Sequence, residues 1–209
     1  VDLNVSLDGY MTTTDQTPED PFGADWERLT AAYTATRTFQ LRLGHEGGTT
    51  GLDDAHIKAE SHGIGAEILG AGMFGFHAHP EDSDWQGWWG PNPPFGVPVF
   101  VLTHRERESL AMEGGTTYHF LSASPQETLA RAQEAAGELD VRIGGGARVV
   151  KNFLRAGLVD RLHVAIVPIL LGRGESIWQD LRGFEEGREM RSEVAESGVV
   201  HVVFEPRSS

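Results

Sequence analysis

The chain has 209 residues, no cysteine and a formal net charge of −14 at pH 7. Without cysteine there are no disulfides, no thiolate metal ligands and no thiol nucleophile. Acidic residues are spread along the chain and no basic stretch offsets them, so nucleic acid and anionic membranes are not expected partners.

The remaining composition, 39% hydrophobic and 23% charged, is that of a globular protein. No apolar run approaches the ~18–20 residues of a membrane span. The opening "VDLNVSLDGY" reads as a strand and lacks the basic start and cleavage site of a signal peptide. A single cytoplasmic domain over residues 1–209 is the expectation.

In chain order, residues 1–6 form a strand that ends in the turn "LDG". Residues 13–25 form a polar, proline-containing loop. A helix is predicted over residues 26–43, then a glycine break at 44–51. "LDDAHIKAESHG" reads as a short helix with Asp53 or Asp54 as N-cap and Gly63 as its stop. "AEILGAGMF" (66–74) reads as a buried strand entering a glycine turn. Residues 75–96 form a long loop rich in Pro, Gly and Trp, followed by strands at 97–104 and 116–121. "SPQETLARAQEAAG" is a helix with Ser124 as N-cap and Glu127 set for a capping box. A strand at 141–143, a helix from Ala147, a strand at 161–170 and a terminal hairpin complete the chain. Strands alternating with helices predict an α/β fold with a mixed, mostly parallel sheet covered on both faces.

Gly144, Gly145 and Gly146 separate the strand "VRI" from the helix "ARVVKNFLRAG". Val149, Val150, Phe153, Leu154 and Leu158 share one face of that helix. The triplet is therefore a strand-to-helix turn at the carboxyl end of a parallel strand, where open α/β sheets bind ligands. A helix N-terminus with glycines ahead of it can hold a phosphate against bare backbone N–H groups. The same turn also serves close strand–helix packing, and both readings stay open here. The common dinucleotide pattern G-x-G-x-x-G is not met, since it needs glycine at Val149.

"SLDGYM", "GAEILGAGMFG", "PVFVLTH", "EGGTTYHF", "DVRIGGGARVV" and "LRAGLVDRLHVAIVPILLGRGE" occur in that order. Together they resemble the dihydrofolate reductase-like family, in particular the C-terminal reductase domain of the riboflavin-biosynthesis deaminase–reductase. The resemblance implies a sheet of about eight strands flanked by helices and an oxidoreductase that uses NADPH on a small-molecule substrate. It places Gly70, Thr103, His104, Arg105, Ile143, Gly144, Gly145, Gly146, Ala147 and Arg148 on the cofactor. It places Ser6, Asp8, Gly9, Pro168, Leu170 and Gly172 along the nicotinamide and substrate cleft, and implies a homodimer. One departure stands out. The arginine that usually follows the glycine at position 70 is Ala71, which removes a charge-assisted phosphate contact. Arg105 or Arg148 compensates, the cofactor differs, or the fold serves as a non-catalytic ligand-binding module.

The proton donor is open among Asp8, Asp25 and Glu27. Asp8 alternatively satisfies backbone N–H groups of its own turn. Trp88 and Trp89 either wall a flat heterocyclic substrate or anchor their own loop. "HAHPEDSD" offers His77, His79 and nearby carboxylates, and reads as a solvated loop. His56 and Glu60, four residues apart, read as a surface pair, so no metal site is expected.

Overall fold

The computed structural model describes all residues except 13–16, 18, 21, 80, 81, 83, 106, 208 and 209. The elements are β1 (Asp2–Ser6), α1 (Trp26–Thr34), α2 (Arg37–Arg42), α3 (Leu52–Glu60), β2 (Ile64–Gly70), α4 (Ala71–Phe74), β3 (Pro98–Leu102) and β4 (Leu110–Ala111). They continue as β5 (Thr117–Leu121), α5 (Pro125–Ala136), β6 (Asp140–Gly145), α6 (Ala147–Arg155), β7 (Leu162–Val167), β8 (Arg188–Val194) and β9 (Val200–Pro206). They form two compact units. The first combines Val1–His62 with Val159–Ser209, and the second is the continuous stretch Gly63–Leu158.

In the second unit the strand order is β4-β5-β3-β2-β6. β5, β3, β2 and β6 are parallel and β4 is an antiparallel edge. The apolar runs of β2 and β3 are buried almost throughout, as strands of a covered parallel sheet must be. The β5–β6 crossover is α5, which starts at the capping site expected from sequence. Ser124 Oγ accepts from the Glu127 N–H at 3.2 Å, and Pro125 occupies the first turn. Its inner face is small, Thr128, Ala132 and Ala136, four residues apart, which lets the helix lie close to the sheet. Leu69, Phe74, Phe76, Val99, Val101 and Tyr118 form a buried cluster in this unit.

In the first unit the order is β1-β7-β9-β8. β1 is parallel to β7, and the predicted C-terminal hairpin, β8–β9, adds antiparallel to β7. Leu29 of α1 packs with Ala165, Val167 and Val199. The fold is thus the expected mixed α/β type, with its strands in one four-stranded and one five-stranded sheet.

Three local expectations change. The helix predicted over 26–43 is two helices, because Thr36 turns extended (φ −69°, ψ 151°) and caps the second. Its hydroxyl donates to the Tyr33 carbonyl at 2.8 Å and accepts from the Phe39 N–H at 3.3 Å. Gly51, not Asp53 or Asp54, is the N-cap of α3. Asp54 instead accepts from the Thr38 N–H at 2.7 Å and so ties α3 to α2. The strand predicted over 66–74 ends at Gly70, and residues 71–74 form the single turn α4. Much of the predicted 13–25 loop lies outside the described residues.

Candidate functional site

The carboxyl ends of β3, β2 and β6 are neighbours in the second unit, because the three strands are adjacent and parallel. Thr103–Arg105, Gly70 and Gly145–Ala147 therefore line one sheet edge. At ~4.8 Å per strand, this edge spans about 10 Å from β6 to β3.

The glycine triplet divides its work. The β6–β2 register slips between Ile68 and Leu69, so Gly144 sits in a bulge. A Cβ there would lie 2.0 Å from Glu67 Oε1 and 3.0 Å from Leu69 Cδ2. Gly144 therefore makes room for a buried carboxylate that lies 3.7 Å from Arg142. At Gly144 the structure shows the packing role that the sequence left open. Gly145 (φ 137°) and Gly146 (φ 78°) make the turn, in backbone regions that disfavour a side chain. Gly146 is the N-cap of α6, so no side chain there accepts from the first-turn N–H groups. A Cβ on Gly146 would meet only the Gly70 backbone, at 3.7 Å. Ile143 and Ala147 are buried and position the turn, whereas Arg148 is exposed on the first turn of α6.

At the β3 end, the buried Thr103 hydroxyl accepts from the Arg105 N–H at 3.0 Å. Arg105 donates to the His79 carbonyl at 3.4 Å and lies 5.1 Å from the Phe76 ring centre. His104 is exposed and stands 3.4 Å from the Ser122 hydroxyl. The sequence reading missed Arg107, which lies over Phe120 and donates to the Trp85 carbonyl. Its burial, and then its neighbour Arg105, press its pKa down. The signal was the alternation of Arg105 and Arg107 just beyond a strand end.

In the first unit the "SLDG" turn and residues 168–172 are joined by hydrogen bonds. The Leu7 N–H donates to the Ile169 carbonyl at 2.9 Å. Asp8 Oδ1 accepts from the Ser6 hydroxyl at 2.6 Å and the Leu171 N–H at 3.1 Å, while Oδ2 accepts from the Gly172 N–H at 2.7 Å. These bonds, the Ser6 hydroxyl first, bring the Asp8 pKa down to about 2. The Gly9 carbonyl accepts from the Ile177 N–H at 3.2 Å. Pro168, Leu170 and Leu7 stand exposed around this clamp, as does Trp178, which the sequence reading passed over. Of the other proton-donor candidates, Asp25 pairs with Arg28 and Arg173, and Glu27 is exposed.

The tryptophan loop anchors itself. Trp85 donates to the Phe74 carbonyl at 2.9 Å and stacks on His79 at 3.6 Å between centroids. Trp88 meets Trp85 edge-on and presses on Gly75. Trp89 packs edge-on against Phe95. His79 is thereby a stacking partner, His77 is exposed, and Glu81 lies outside the described residues. The expected surface pair of His56 and Glu60 is corrected. Glu60 is buried, hydrogen-bonded to the Tyr33 hydroxyl and 3.8 Å from Arg42. Burial, with His163 and His201 adding to it, pushes the His56 imidazole down to about 4.

Residues 1–201 match the family described as the RibD C-terminal domain. The Bacillus subtilis (strain 168) protein YyaP is 26% identical over 106 residues, 51% of this chain and 52% of its own. The riboflavin biosynthesis protein RibD of Aquifex aeolicus (strain VF5) is 27% identical over 104 residues, 48% of this chain and 29% of its own. These matches thus span about half of one relative and under a third of the other. Among solved structures, a protein named for riboflavin biosynthesis from Shewanella sp. PV-4 aligns with a TM-score of 0.60 at 18% identity, covering 99% of this chain and 97% of its own. The diaminohydroxyphosphoribosylaminopyrimidine deaminase/5-amino-6-(5-phosphoribosylamino)uracil reductase of Thermotoga maritima aligns with a TM-score of 0.55 at 14% identity, covering 99% and 55%. At these identities the structural likeness establishes the fold.

Proposed function

The chain belongs to the RibD C-terminal domain family, and we propose that it is a reductase that uses NADPH to deliver hydride to a C=N or C=O of a small heterocycle of pteridine or ribosylamino-pyrimidine type. The observation that carries this reading is the turn at Gly145 and Gly146. It opens α6 at a sheet edge shared with Gly70 and Thr103.

The residues present fit the cofactor's charged parts. First-turn N–H groups of α6 and the exposed Arg148 suit a pyrophosphate. Arg105 and Arg107, backed by Phe76 and Phe120, suit the adenosine end. Ala71 leaves the β2 end without its usual cation, so Arg148 carries that duty here. NADPH supplies the hydride when bound; the protein supplies binding, orientation and exclusion of water. Asp8 holds Leu171 and Gly172 by two backbone bonds and is ionised near neutral pH. It therefore shapes the substrate side as an acceptor, and the proton for the reduced nitrogen or oxygen comes from another group or from water. A homodimer belongs to the same proposal and is checked by light scattering.

The test is a tryptophan-fluorescence titration with NADPH and NADH, on the wild type and on Arg148→Glu. Glutamate in a first helical turn is compatible with the helix dipole, so the variant keeps its fold. Saturating quench at micromolar NADPH, weakened at least tenfold in the variant, supports the reading. No response to either nucleotide overturns it. The loss of Arg at position 71 would then mark a ligand-binding module without hydride chemistry.

A further inference from the structure

A second cluster lies wholly within the first unit and takes no part in the proposed reduction. Asp53, His56 and Glu60 are spaced three and four apart on α3, so they share one helical face. On the sheet, Asp2 of β1 stands opposite His163 of β7, and Ala165 stands opposite His201 of β9. Asp2, His163 and His201 therefore run diagonally across one sheet face. His163 and His201 are each 4% exposed. The His56 ring lies nearly parallel to both, at centroid distances of 4.5 and 4.1 Å.

The outer nitrogen of each sheet histidine faces a carboxylate. His163 Nδ1 is 3.1 Å from Asp2 Oδ1, and His201 Nε2 is 2.9 Å from Asp53 Oδ1. Carboxylates accept, so these two nitrogens carry the N–H, and the tautomers follow. His163 Nε2 and His201 Nδ1 then present lone pairs to each other across 2.9 Å. Two lone pairs do not rest at that distance with nothing between them. Either one ring carries a second proton, or a metal ion beside the pair draws both lone pairs toward it with the nitrogens spread further apart.

The third imidazole decides between them. A shared proton needs two nitrogens and gives His56 nothing to do. Yet His56 Nε2 is buried without a hydrogen-bond partner, and one ring nitrogen from each of the three histidines lies within 4.8 Å of the other two. The nearby Glu193 carboxylate is 3.6 Å from it, too far for a hydrogen bond.

We propose that His56, His163 and His201 form a binding site for a divalent, imidazole-preferring transition-metal ion of the zinc class, with Asp2 and Asp53 as the carboxylates that orient two of the ligands. Carboxylate-backed imidazoles are the usual outer shell of such sites. Three nitrogens around zinc at 2.0–2.1 Å stand roughly 3.3 Å apart, so the facing pair opens slightly and His56 turns inward from its stacked position. Glu193, or a water, completes a tetrahedron. A recess of about 330 Å³ lined by His56, Arg161, Arg191, Glu193, His201 and Val203 provides access. Its two arginines are engaged by Asp2 and Glu205, which limits their repulsion of a cation. The ion would staple α3 to β7 and β9.

The experiment is calorimetric titration of chelator-stripped protein with Zn²⁺ at pH 7.5, in two buffers of different ionisation enthalpy, with thermal unfolding and the zinc K-edge absorption spectrum. One ion per chain at submicromolar Kd, proton release on binding, a raised Tm and a shell of imidazole nitrogens are expected. His56→Ala, which removes the least buried ligand, should weaken binding at least 100-fold. Asp53→Asn should weaken it about 10- to 100-fold while leaving all three ligands in place. No saturable binding, an oxygen-only shell, or affinity unchanged in His56→Ala overturns the proposal. So does a strongly downfield shared-proton resonance that persists at saturating zinc. If His56→Ala does not fold, the wild-type absorption spectrum and Asp53→Asn decide.

Discussion

An alanine at position 144 would bring its Cβ to 2.0 Å from Glu67 Oε1. Glu67 is buried and lies 3.7 Å from Arg142, so displacing its carboxylate disturbs that pair. Gly144→Ala should therefore destabilise the protein by about 1–3 kcal/mol, the range for overpacking a filled site, as read from urea denaturation. Asp8 makes a prediction of a different kind. Its folded pKa of about 2 lies below the ordinary 3.8. The stabilisation it gives is thus fully present above the unfolded pKa and is lost as pH falls through about 2. Asp8→Asn should be less stable than the wild type at pH 6, and the gap should close toward pH 2. A gap of equal size at both values would show that the charge of Asp8 is not what secures residues 171 and 172.

Among the elements, the α1–α2 break is the one most open to measurement. The threonines at 34, 36 and 38 weaken a continuous helix, and Thr36 gives the backbone a better alternative as a cap. Its side chain is fully buried and bonded in both directions. Thr36→Ala should cost roughly 1–2 kcal/mol, seen as a lower denaturation midpoint with little change in m-value. A neutral result would mean that α2 is held by other bonds, such as that from the Thr38 N–H to Asp54. The α5 cap, by contrast, was plain in the sequence, because Ser124, Pro125 and Glu127 are local signals that need no tertiary partner.

For the whole molecule, the net charge of −14 governs long-range behaviour. The arginines at the β3 end and on α6 form a small local exception. Polyanions should therefore fail to hold the protein: it should pass unretained through a heparin column at low salt, even if it binds NADPH. Retention released by modest salt would reveal a basic face that the overall balance conceals. Among the described residues no helix is long and apolar enough to cross a membrane.

The sequence by itself determined the α/β class, nearly every strand, the α5 and α6 boundaries and the family, because these rest on local periodicity, caps and ordered motifs. The resemblance set Asp8 and Gly172 along one cleft, but the backbone bonds from Leu171 and Gly172 to Asp8 came from the structure alone. Only the tertiary structure separated Gly144 from Gly145 and Gly146, since the buried Glu67 that demands a glycine sits on a neighbouring strand. It alone added Arg107 to the β3 end and gave Trp88 and Trp89 their partners within the loop. It alone moved His56 and Glu60 from the surface into a buried cluster. Three histidines at 56, 163 and 201 share no local pattern. The register of β1, β7 and β9 under one face of α3 brings them together, and register is a property of paired strands that no single segment carries.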